Sequence, residues 1–73
     1  MRKTVYCAQG FWRRAGGIVG GHTYKSCRED RARTWGARWG RHADGAIVYQ
    51  MEVEPDAELK GEVIVLARYG CAP

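Results

Sequence analysis

The stretch from Ser26 to Gly45, SCREDRARTWGARWGRHADG, constrains the fold most, because its apolar residues recur at helical period and the rest of the chain alternates like strands. Ala32, Trp35, Gly36 and Trp39 stand at i, i+3, i+4 and i+7, which makes one apolar helix face. Ser26 followed by Glu29 has the form of a capping box, so the spacing predicts a helix from about Cys27 to Arg41. At about 100° per residue, Arg31, Arg38 and His42 fall along one edge of the apolar face, with Arg41 further round. Glu29 is placed to pair with Arg33 at i, i+4. Acids in the first turn and Arg38, Arg41 and His42 in the last suit the helix dipole. Gly36 on the apolar face is expected to let the sheet approach the helix backbone, and Gly45 to take a left-handed position after the helix.

The flanking segments are built differently. Thr4 to Trp12 alternates, with Val5, Cys7 and Phe11 on one side and Tyr6, Ala8 and Trp12 on the other, and Gly10 is expected to mark a bulge or a close backbone approach. Arg13 to Gly17 is a turn, and Ile18 to Lys25 returns as the second strand of a hairpin. Ala46 to Glu54 alternates Ile47, Tyr49, Met51 and Val53 with mostly polar partners. Pro55-Asp56 forms a turn and the connection ends near Gly61. Glu62 to Tyr69 is apolar at nearly every position, as expected of a central strand or one covered on both faces. The tail, Gly70 to Pro73, is expected to fray. The whole chain, residues 1–73, is therefore one small α+β domain in the order β-β-α-β-β: a four-stranded, largely antiparallel sheet with one helix packed on one face. On that fold Trp35 and Trp39 are expected to be core, and Trp12 to be exposed at the hairpin tip.

A chain of 73 residues buries only about 60% of the surface that its unfolded state exposes. Its core is small, and either a monomer or a homodimer is compatible with it. Three cysteines, Cys7, Cys27 and Cys71, exclude a full disulfide framework by parity. The basic start lacks the apolar run of a signal peptide, and no apolar run approaches a membrane span of about 18 residues, so the expected location is the reducing cytoplasm, with no membrane partner. The net charge of +4 conceals an asymmetry: residues 1–45 carry ten Lys or Arg against three acids, +7, and residues 46–73 carry two against five, −3.

Few residues are arranged for chemistry. Hydrolysis needs a nucleophile, base and orienting group within mutual reach. Ser26 is committed to the cap, and His22 and His42 lie on either side of the helix in sequence. Cys27 stands at a helix start, and Glu52, Glu54, Asp56 and Glu58 cluster about a turn as a solvated rim. His22 and Cys27, five apart, lack the close ligand pairs of a structural zinc site, and the glycines of the hairpin do not open a helix as a phosphate loop does. The expectation is a protein that is not an enzyme and carries no cofactor or metal. Recognition is better provided for. Trp, Tyr and Arg are the residues most enriched at interface hot spots, and the chain has three Trp, four Tyr and nine Arg. Arg13 and Arg14 beside Trp12 supply phosphate-type contacts together with the helix edge, which makes nucleic acid a possible partner. The candidate partner- or nucleic-acid-binding residues are Trp12, Arg13, Arg14, Arg31, Arg38, Arg41 and His42.

The segment GAIVYQMEVEPDAELKGEVIVLARYG, most specifically its ending from Leu66 to Gly70, resembles small uncharacterised proteins of phages and GC-rich α-proteobacteria. By size, expected location and lack of catalytic motifs the chain also looks like a phage-encoded anti-CRISPR protein. That resemblance implies an inhibitor that binds a protein or nucleoprotein complex, such as a CRISPR surveillance complex, by surface occlusion. It assigns no residue. The alternative is a small basic nucleic-acid-binding regulator using Arg13, Arg14 and the helix edge.

Overall fold

Alternating strand segments on either side of one amphipathic helix can bury their apolar residues only by forming a sheet beneath that helix. A computed structural model, which describes residues 3–53 and 60–73, has this arrangement. The elements are β1 (Lys3–Arg14), β2 (Gly17–Ser26), α1 (Glu29–His42), β3 (Gly45–Val53) and β4 (Lys60–Gly70). The strands form one sheet in the order β2-β1-β3-β4, and every neighbouring pair is antiparallel. This is the α+β, β-β-α-β-β fold expected from the sequence. The expected Pro55-Asp56 turn, and Glu54 and Glu58 with it, lie outside the described residues.

Register decides which residues face the helix. Ala8 stands opposite both Tyr24 and Val48, and Val48 opposite Ala67. These positions share the side on which α1 lies, where Ala8, Ala32 and Val48 are fully buried and Trp35, Leu66 and Tyr69 pack around them. The helix approaches closely because Gly36 has no side chain: a Cβ there would run into Val48. Small residues therefore fill the layer between helix and sheet, and the large indoles are displaced outward. Trp35 and Trp39 are half-buried, which corrects the expectation that they are the core. They wall it along one side.

The helix boundaries also differ. Ser26 is still paired in the sheet, opposite Tyr6, and so lies two residues before the cap position, which Arg28 occupies. Its Oγ accepts a hydrogen bond from the Arg28 N–H at 3.0 Å, and Arg28, extended at φ −118° and ψ 126°, precedes the first helical residue, Glu29. The capping box is thus replaced by a turn. At the other end the Ala43 N–H donates to the Trp39 carbonyl at 2.7 Å. Gly45 is not a left-handed cap but the first residue of β3. It is required for a different reason: a Cβ there would stand 2.6 Å from the Ala72 nitrogen and 2.8 Å from the Tyr69 carbonyl oxygen. The tail is tied down rather than frayed, since the Cys71 N–H donates to the Asp44 carbonyl at 3.0 Å.

The expected bulge is present: the β1–β2 register shifts between Gln9 and Phe11. The largest departure concerns β4. Expected to be central or covered on both faces, it lies at the edge of the sheet, with Val63, Ile64 and Val65 exposed. A helix of 14 residues reaches about 21 Å, whereas the 12 residues of β1 extend about 40 Å. Sheet therefore runs past the helix, and Ile64, on the helix side by its pairing with Gln50, is not covered.

Candidate functional site

The two flanks of α1 face different strands. On one, a Cβ at Gly40 would meet the Tyr69 ring at 2.9 Å, which places that flank over β4. On the other, the Trp35 ring lies 5.3 Å from that of Tyr24 in β2 and 5.8 Å from that of Trp39. A Cβ at Gly10 would lie 3.4 Å from Trp39 Cε3 and 3.3 Å from Trp12 Cη2. Tyr24, Trp35, Trp39 and Trp12 thus follow one another along the β2 side of the helix as an aromatic ridge.

Along the outside of this ridge run the basic residues. Helical periodicity sets Arg31, Arg38 and His42 on the same flank as Trp35, and all three are exposed, as is Arg41 further round. The Arg38 guanidinium carbon lies 5.2 Å from the centre of a Trp35 ring. A cation over an indole face is attracted by the ring quadrupole and is held out from the surface as a planar, already oriented donor set. Nearer the helix start, Tyr24, Asp30, Arg31, Thr34 and Trp35 line a hollow of about 230 Å³. This is smaller than the roughly 300–1,000 Å³ of a drug-sized ligand site, and it admits a protruding side chain more readily than a substrate.

The hairpin joins the same end of the molecule. Asp44, just beyond α1, accepts a hydrogen bond through Oδ2 from the Arg13 N–H at 2.6 Å, and its own N–H donates to the Phe11 carbonyl at 3.0 Å. Arg13 and Arg14, both exposed, are so held at the end of the sheet where Arg41 and His42 finish the helix. Trp12 is not the exposed tip residue expected. It is half-buried, and the turn proper is Ala15-Gly16, with Arg14 opposite Gly17. Sequence reasoning missed Tyr24, which anchors the ridge, and Asp44, which ties hairpin to helix. The first was signalled by alternation in β2; the second had only a turn motif to announce it.

Acidic and basic residues mix at one end of the sheet, where Lys3 and Lys60 both stand opposite Val53, next to Glu52. The hairpin tip and the helix C-terminus lie at the other end, whereas Glu52, opposite Thr4, and Glu62 in β4 lie toward this one. Between them Arg28 pairs with Asp30 at 2.9 Å and Arg33 with Glu29 at 2.8 Å. Arg28 is also the main reason that the Asp30 carboxyl is held below its ordinary range. These pairs neutralise the start of the helix and leave Arg31, Arg38 and Arg41 as the outward charges of α1.

The face of the sheet away from the helix carries Cys7 opposite Tyr49. Burial, and then the neighbouring Cys7, pushes the Tyr49 hydroxyl above its ordinary value. Cys7 is buried, Cys27 exposed and Cys71 half-buried, and none is in a disulfide. Among the described residues, no group of three or more His, Cys, Asp or Glu is placed to hold a metal, and no helix is long and apolar enough to cross a membrane. Comparison of the chain with protein-family models, with curated proteins and with solved structures gave no match.

Proposed function

We propose that this is a non-enzymatic binding protein that lays the Arg31–Arg38–His42 flank and its tryptophan ridge on an acidic surface of a larger nucleoprotein assembly and blocks that surface by occlusion. The mode is that of a phage-encoded anti-CRISPR protein acting on a CRISPR surveillance complex in the host cytoplasm. The observation that supports it is Arg38 held over Trp35 beside a shallow hollow. Buried aromatic and arginine anchors dominate interface energies, and a one-signed basic flank speeds encounter with an acidic partner. A net charge of +4 argues against mimicry of DNA, which would need an acidic surface.

The test is affinity capture from a host lysate with wild-type protein and with Arg38→Glu, followed by mass spectrometry and an immunity assay. A specific complex recovered by the wild type and lost by the variant supports the reading. Recovery of the protein alone, with no response in the immunity assay, removes it.

A second reading, a small nucleic-acid-binding regulator, is favoured by the tie between Arg13 and Asp44, which gathers Arg13, Arg14, Arg41 and His42 at one end. Phosphate contacts of that kind weaken steeply with salt. A gel shift at low salt that fades by about 0.2 M salt supports it; no shift at low salt rules it out.

A further inference from the structure

The face of the sheet away from the helix has no part in the basic flank of α1, and two aromatic rings lie along it. Register sets Cys7, Gln9 and Phe11 of β1 on this face with Tyr49 of β3, and these are the two central strands. The Tyr49 hydroxyl meets the Cys7 thiol and accepts a hydrogen bond from the Thr23 side chain. Thr23 stands in β2, two strands away from Tyr49, so the Tyr49 ring crosses β1. Cys7 lies beneath it and is fully buried, although the helix packs on the other side. Phe11 leans the same way: a Cβ at Gly20 in β2 would stand 3.4 Å from Phe11 Cε1 and 2.7 Å from Gln9 Nε2. Between the rings Gln9 is tied down as well, its Nε2 donating to the Gly21 carbonyl at 3.0 Å. Both rings are half-buried, one side against the sheet and the other toward solvent. Among the described residues, the charges that register sets on this face are all positive. Lys3 and Lys60 stand opposite Val53, Lys25 opposite Cys7 and Arg13 opposite Ile18, and Arg68 opposite Ile47. Of the acids, Glu52 is on the helix side, opposite Thr4. Glu62 lies at the margin, in the irregular step of β4 between Lys60 and Val63, and Asp44 accepts the Arg13 N–H.

We infer that this open face binds single-stranded nucleic acid, with unpaired bases stacked on Tyr49 and Phe11 and phosphates held by Lys3, Arg13, Lys25 and Arg68. The occupant follows from two properties that the face joins. Its cationic surround, exposed at all four of these residues, calls for an anion along its whole length. Its rings are already laid flat, and a flat ring is matched by the face of a base whatever the sequence. An acidic peptide supplies the charge without the planar faces. A bilayer is met by side chains that stand out from a surface, whereas these rings are tied down to it. A duplex hides its base faces inside the stack, so the strand is single. Phe11 stands opposite Gly45, four residues from Tyr49, which sets the two Cα atoms about 14 Å apart. The rings therefore take bases that are not neighbours, and the strand between them passes Gln9. The site uses neither the α1 flank nor Arg14, and shares only Arg13 with the hairpin end.

Fluorescence anisotropy of a labelled oligouridylate of about 12 nucleotides, titrated with the full chain, tests this. The single strand should bind at least about tenfold more tightly than an RNA duplex of the same length. Four phosphate contacts predict a slope of about −3 in the logarithm of the binding constant against the logarithm of salt concentration. Tyr49→Leu should weaken binding about tenfold and leave that slope unchanged, because it removes a stacking face and no charge. Lys25→Glu should make the slope shallower by about one, and Arg38→Glu should change affinity by less than about twofold. Circular dichroism checks that each variant is folded. No binding of the single strand, equal binding of the duplex, or a loss in Arg38→Glu with none in Tyr49→Leu overturns the inference. Retention of the protein on phosphatidylserine vesicles without binding of the oligonucleotide overturns it too. Should Tyr49→Leu fail to fold, Phe11→Leu decides in its place: a loss with the slope unchanged supports stacking, and no loss overturns it.

Discussion

The two edges of this sheet differ in what the helix lays beside them, although each leaves β-branched residues about half exposed, Ile18 and Val19 in β2 and Val63, Ile64 and Val65 in β4. Beside β2 the helix supplies a wall of indoles, and Tyr24 and Trp12 lie against it, so large apolar groups are half-buried within one chain and their outer margin is lined with arginine. Beside β4 the helix contributes the Gly40 flank over Tyr69, and the valines and isoleucine further along the strand stay about half exposed. The difference follows from one close contact. Gly36 on Val48 draws the helix onto the middle of the sheet, its bulky residues all fall to the β2 side, and the length of the helix leaves the far part of β4 bare.

This contrast is most open to attack at Trp39. Trp39→Ala should lower stability by about 3 kcal/mol, the low end for a buried indole because Trp39 is half-buried. Ile64→Ala should cost the isolated chain less than about 1 kcal/mol, because the residue is already half in water. Urea unfolding of both variants at micromolar concentration checks the pair, and comparable losses would show that the two edges are not differently built. Asp44→Ala removes the acceptor of the Arg13 N–H and should cost about 1 kcal/mol. It should also loosen the hairpin from the helix end, visible as faster amide exchange at Arg13 while the exchange of β4 stays unchanged.

Arg38→Glu should change stability by no more than about 0.5–1 kcal/mol, the worth of an exposed cation–π contact, and yet abolish partner capture. A variant that unfolds instead would make the basic flank structural. The smallest effect belongs to the face away from the helix. Tyr49, held above its ordinary value of 10.0 by burial, stays protonated in the folded protein after it ionises in the unfolded chain. Its contribution is therefore intact below about pH 10 and lost as pH rises beyond that. The urea midpoint should fall between pH 9 and pH 11, and fall less in Tyr49→Phe.

Much of this was legible in the sequence, and the misses have physical causes. Periodicity identified one helix and four strands, and with them the Gly10 bulge, the Glu29–Arg33 pair and the contact at Gly36. The capping box failed because pairing with Tyr6 keeps Ser26 in β2 and the helix starts only at Glu29, behind Arg28, a tertiary constraint that no local motif records. Gly45 has the residue type of a left-handed cap, but a backbone packed against Ala72 and Cys71 demands glycine equally. The tryptophans were expected at the core since apolar spacing cannot say how near the sheet comes: with Gly36 and Ala32 in contact, only their margin has room for an indole. The run through Val63 to Leu66 suggested a central strand or one covered on both faces, because apolar composition does not say where in the sheet order a strand lies. The arginine edge of the helix was placed by angle alone, whereas its union with Arg13 depended on Asp44.

Hydrogen exchange at the amides of the two edges addresses the central contrast most directly, since it compares β2 and β4 in the same sample. The amides of β4 around Ile64 should exchange faster than those of β2 beside Tyr24, because Trp35 of the helix lies against Tyr24 whereas Ile64 is half exposed. Equal exchange at the two edges would contradict the account.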